Sequence, residues 1–194
     1  MRSPGSFALA ASFAATLIAT AGVPVLAQGK EGTAGTGEKP HYIADHTFLV
    51  TAATAGLEQV RLARLADHNA THPDVNSFAK KVIDDYVKAN DQLRQLAASK
   101  GVKDLPAHPD PSTQALFDKL DKIGGEDFDV VYIRQAAEDL RAAVALFANE
   151  ELNGADADVK HYAAAFLPTL RDALTTAQHL EDRIAGRSSR SPGQ

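Results

Sequence analysis

Three acidic side chains at helical spacing offer the first chemistry in this chain. Glu58, Asp85 and Asp139 fall on three separate stretches, each beside an apolar stripe that recurs every three or four residues. Glu58 stands three residues after Ala55 and four before Leu62, while Asp85 and Asp139 are followed at once by the stripe residues Tyr86 and Leu140. Carboxylates drawn inward from several helices can balance a cation's charge, and bundle-core metal sites add imidazoles from Glu-x-x-His pairs. No Glu-x-x-His lies within the long helical stretches, and no histidine faces inward in the middle of one. The acids therefore read first as stripe-edge residues reaching solvent or an arginine, because buried carboxylates need partners. The alternative is a metal site of these three carboxylates alone, taking Fe, Mn or Zn.

Other candidate groupings are weaker. In "HNATH", His68 and His72 are four apart, a zinc-binding spacing on a continuous helix. Pro73 follows directly, and Asn69, Thr71 and Asp74 are turn and capping types, so the spacing predicts a solvated turn. His161 and His179 lie just off the apolar stripe of the last stretch. The tyrosines at 86, 132 and 162 read as core residues with hydrogen-bonded hydroxyls. No G-x-S-x-G and no Gly-rich phosphate loop after a strand is present, which removes the motif basis for hydrolase or nucleotide chemistry.

Four long helices must hold these residues. The first is expected over 44–68, with Phe48, Ala52, Ala55, Leu62 and Leu65 on one side and Asp45 or Thr47 capping its start. The second is expected over 74–99, where Val75, Phe78, Val82, Tyr86, Ala89, Leu93 and Leu96 keep a three-four alternation. After a connection with three prolines, a short helix is expected over 112–123. The third long helix spans 126–152, with Phe128, Tyr132, Ala136, Leu140, Ala143 and Phe147 inward. The fourth spans 156–184, with Tyr162, Phe166, Leu170, Ala173 and Ala177 among its inward residues and a kink expected at Pro168. The fold class is all-α: an antiparallel up-down four-helix bundle with an extra short helix in the middle connection.

Bulk properties agree. The chain has 194 residues, 44% of them hydrophobic and only 6% aromatic, enough for one helical domain with its own core. Its net charge of −5 and scattered basic residues give no stripe for nucleic acid. The absence of cysteine excludes disulfides, thiolate catalysis and Cys-ligated metal clusters. Arg2, the apolar run "FALAASFAATLIATA" and the small residues of "VLAQ" make a signal peptide over 1–27, cleaved before Gln28. The run is short for a bilayer span, so no transmembrane segment is expected in the mature chain. A polar, Gly-rich linker occupies 28–41, the bundle 42–185 and a disordered tail 186–194. The expected location is periplasmic or secreted.

The order and spacing of four stretches carry a further likeness. "FLVTAATAGLEQVRLARLA" (48–66), "DVNSFAKKVIDDYVKANDQLRQLAASKG" (74–101), "FDVVYIRQAAEDLRAAVALFANE" (128–150) and "VKHYAAAFLPTLRDALTTAQHL" (159–180) together resemble the exported bacterial family called domain of unknown function 4142. Its members carry an outer-membrane-protein label and are grouped with ferritin-like folds. The resemblance implies a periplasmic ferritin-like bundle and no established reaction. Relatives typically carry Asp-His in the second and third helices and a histidine in the fourth. This chain has Asp85-Tyr86, Asp139-Leu140 and Ala173 there, and keeps the acid Glu58. Glu58, Asp85, Tyr86, Asp139, Leu140 and Ala173 thus form a candidate vestigial site, its histidine positions filled by a large, a medium and a small side chain. The expectation is a non-enzymatic envelope or stress protein without a cofactor, acting on an envelope or other surface partner and able to self-associate. The alternatives are a ferritin-like metal or redox protein and a small-ligand carrier with its pocket near Pro168.

Overall fold

A computed structural model describes residues 40–188. Among them the chain forms α1 (Pro40–Asn69), α2 (Pro73–Ser99), a 3-10 turn (Pro111–Thr113), α3 (Gln114–Leu120), α4 (Gly125–Asn153) and α5 (Ala157–Ser188), with no strand. The expected signal peptide, residues 28–39 of the linker and residues 189–194 of the tail lie outside the described residues. Two boundaries differ from expectation: α1 begins inside the expected linker, and α5 runs into the expected tail.

Local chemistry sets most helix ends. At α2, Pro73 supplies a preset φ where the helix needs no N–H donor, and His72 is the N-cap, its Nδ1 accepting from the Asp74 N–H at 3.2 Å. Gly101, at φ 75°, lets the chain turn back so that the Val102 N–H reaches the Ala97 carbonyl at 2.9 Å. Asp156 caps α5 through Oδ1, which accepts from the N–H groups of Asp158 and Val159.

The long helices bury their stripes against one another. α1 packs on α2 and α4, α5 packs on α4 and α2, and α3 rests on α4. Phe78, Val82, Tyr86, Leu93, Phe128, Tyr132, Leu140, Phe147, Tyr162 and Leu170 enter one continuous apolar core. Within it Phe147 meets the rings of Phe48, Tyr162 and Phe166, and Phe166 meets Tyr86 edge-on with centroids 5.5 Å apart. Such pairs add about 0.5–1.5 kcal/mol each beyond the apolar area they bury. The predicted stripe residues Ala55, Leu65, Leu96 and Phe166 are half-buried, at the margin of the core rather than inside it. Pro168 lies within α5 as expected, on an exposed face.

Two buried aspartates tie the helix pairs together. Asp129 of α4, 2% exposed, accepts from the Thr71 N–H (3.1 Å), the Thr71 hydroxyl (2.7 Å) and the His72 N–H (2.8 Å), at the turn into α2. Asp45 of α1, 6% exposed, accepts from the N–H groups of Ala155 and Asp156, both at 2.9 Å, at the turn into α5. Asp45 therefore does not cap its own helix. Because α1 starts at Pro40, Asp45 lies inside it and is free to serve the far turn.

Candidate functional site

The periodic spacing of the apolar residues decides which member of each polar–apolar pair turns inward. On α2, Tyr86 is buried while Asp85 stands at the edge, where its carboxylate meets Lys81 at 2.7 Å, one helical turn away. On α4, Leu140 is fully buried and Asp139 half-buried beside it. On α5, Ala173 is 8% exposed. On α1, Gln59 is buried, and Glu58 is half-buried next to it.

Asp139 is the polar centre of this seam. Its Oδ2 accepts from the Gln59 amide at 2.8 Å and its Oδ1 from the Gln135 amide at 2.9 Å. Burial raises its carboxyl above the usual range, and the two amides pull partway back. The Glu58 carboxyl is raised as well, first by burial and then by the charges of Asp139 and Asp110, with Arg61 opposing. The Tyr86 phenol is raised by burial and by Asp139 and Tyr162, so it stays protonated across ordinary pH. Tyr162 donates to the Ala89 carbonyl at 3.2 Å. The hydroxyls of Tyr86 and Tyr132 have no hydrogen-bond partner, contrary to the expectation for core tyrosines. Ring packing holds both phenols where no acceptor reaches, at a cost each core absorbs.

The seam thus gathers Glu58, Asp139 and Tyr86 into one electrostatic neighbourhood and leaves Asp85 outside it, bound to lysine. Both oxygens of Asp139 already accept hydrogen bonds, and no group of three or more His, Cys, Asp or Glu is placed to hold a metal among the described residues. His68 and His72 do not share a helical face, since α1 ends at Asn69 and His72 caps α2. His161 and His179 are exposed on α5.

Four functional or structural polar residues have no signature in the local pattern. Gln59 holds Asp139, and Asp129 and Asp45 hold the turns. Glu150, 3% exposed, sits against Asp45 with Oε1 unpartnered, and its carboxyl is pushed up to about 7 by burial and then by Asp45. The only hint in the sequence is position: Asp129 and Glu150 fall where the α4 stripe calls for apolar residues. Their partners lie 57 or more residues away and leave no local trace.

Comparison with known proteins adds three findings. The model of a family described as "Domain of unknown function (DUF4142)" matches residues 30–180. No curated protein matches. Among solved structures, a crystal structure of a DUF305 fragment from Deinococcus radiodurans is similar in fold, with a TM-score of 0.64 at 16% identity, covering 75% of this chain and 97% of that one.

Proposed function

The chain belongs to the DUF4142 family, a domain of unknown function, and from that premise we propose an exported, non-enzymatic bundle that acts through its surface in the cell envelope. Its four long helices run up-down and antiparallel in the ferritin-like manner, and the periplasm is its location. The three-residue connections between α1 and α2 and between α4 and α5 support that arrangement, since short links join antiparallel neighbours. The location rests on the amino-terminal segment alone.

The observation that carries the reading is the burial of Tyr86, Leu140 and Ala173, 5%, 0% and 8% exposed, in one apolar core. A protonated phenol, an isobutyl group and a methyl group offer no imidazole to a metal. The test is to put three imidazoles back with Tyr86→His, Leu140→His and Ala173→His. The folded triple variant is expected to bind a divalent metal that the native protein does not. A folded variant with no gain would break the argument from those positions.

One observation favours a second reading, a metal or redox site of oxygens alone. Glu58, Asp139 and Tyr86 share one neighbourhood, and the Tyr86 hydroxyl is unpartnered. Against it, Asp85 is bound to Lys81 and both Asp139 oxygens are engaged. Elemental mass spectrometry of protein purified without chelator, after incubation with iron, manganese and zinc, separates the two. A stoichiometric metal abolished by Glu58→Ala would make the oxygen site the better reading.

A further inference from the structure

A cleft of about 390 Å³ runs along the outer face of α1 and α2 and ends at Pro109 of the connection before α3. Its floor is apolar, from Leu57 and Val60 of α1 and Val87 of α2, and Val87 is one of the large hydrophobic side chains left exposed. Its rim is basic, from Arg61 and Arg64 of α1 and Arg94 of α2. Three arginines around one apolar cleft stand out in a chain of net charge −5.

The three are not equally engaged. The Arg61 guanidinium lies 3.9 Å from the Phe117 ring centroid and donates to the Gln114 carbonyl oxygen, which fixes its direction. Arg94 meets Asp91 at 3.1 Å on an exposed face, a pair that water screens. Arg64 is exposed and makes no ion pair or hydrogen bond with another described residue. Asn90 lines the same cleft, with its amide turned against Gly56 of α1. Gly56 makes the room for it, since a Cβ there would collide with the Asn90 amide.

We propose that this cleft binds a single-chain anionic amphiphile, a medium-chain aliphatic carboxylate, with its tail on Leu57, Val60 and Val87 and its headgroup on Arg64 at one end. The guanidinium fork matches a carboxylate in a two-bond geometry that a lysine cannot offer. The cleft volume lies in the range of small-ligand sites. The cleft is on the outer face of α1 and α2 and does not depend on whether the core seam is sealed.

The probe is decanoate, below its micellar concentration, titrated calorimetrically into the mature protein. One-to-one binding is expected, with Arg64→Gln weakening it about tenfold, the loss of one charged hydrogen bond. Val87→Asp should weaken it comparably, and Arg171→Gln, an exposed arginine on α5, should leave it unchanged. Decanol, which keeps the tail, and acetate, which keeps the headgroup, should both bind at least tenfold more weakly than decanoate. No binding of decanoate, equal binding by the Arg64→Gln variant, or equal binding of decanol would each overturn the proposal. So would sedimentation with phosphatidylglycerol vesicles without decanoate binding, which would make the cleft a membrane-contact surface.

Discussion

Leu140 and Glu150 sit on the same helix and will respond to substitution for opposite reasons. Leu140 has no exposed surface, so Leu140→Ala leaves a void and should lower stability by roughly 2–5 kcal/mol, measured from the denaturation midpoint. An unchanged midpoint would place Leu140 outside the core. Glu150 carries a charge problem. Its carboxyl ordinarily titrates at 4.5 and in the fold at about 7. Below pH 4.5 both states hold the proton and nothing changes. Between 4.5 and about 7 the unfolded chain releases it while the folded chain keeps it, so stability falls as pH rises and then levels off. Asp156, held low by Lys100, acts in the other sense, but around and below its ordinary 3.8. Glu150→Gln should therefore flatten the decline in melting temperature between pH 4.5 and 7, and an unaltered slope would show that Glu150 is not its source. The two residues also mark how much the sequence disclosed. Leu140 was legible because a three-four alternation records which face is buried. Glu150, Gln59 and Asn90 were not, because a polar side chain is buried only where distant partners or a neighbouring glycine make room for it.

At the scale of the element, close approach of α1 and α2 depends on one missing methyl group. Gly56 faces the Asn90 amide so tightly that an added Cβ would collide with it. Gly56→Ala should push the helices apart and cost about 1–3 kcal/mol, the usual range for overpacking. Combining it with Asn90→Ala should recover part of the loss, a coupling that a double-mutant cycle measures directly. Equal losses in the single and double variants would mean the clash is not the cause. Helix ends divide in the same way into legible and hidden. Pro73 and Gly101 announce theirs, the one by its preset φ and the other by a positive φ that glycine adopts without strain. The start of α1 was misread because Asp45 looks like an N-cap. Its side chain answers to the α4–α5 turn, a partner more than a hundred residues on.

At the scale of the molecule, the described residues contain no helix long and apolar enough to cross a membrane. If the proposed export holds, the mature chain should start at Gln28, which intact mass of the exported protein will test; a mass that includes the first 27 residues would show a retained anchor. Asp129→Ala should then reveal how the two helix pairs depend on each other. It removes three hydrogen bonds to a buried carboxylate and strands the Thr71 and His72 donors, a loss of roughly 3 kcal/mol or more read from the urea midpoint. A loss within a few tenths would reduce the contact to a surface cap. The same aspartate has a consequence in time. The turn that closes α1 against α2 is held by a carboxylate that the ribosome adds only after both helices have been made, and the turn that closes α4 against α5 waits for nothing, because Asp45 is already there. The first half of the chain is thus made before the carboxylate that its turn binds, and the second half after its own.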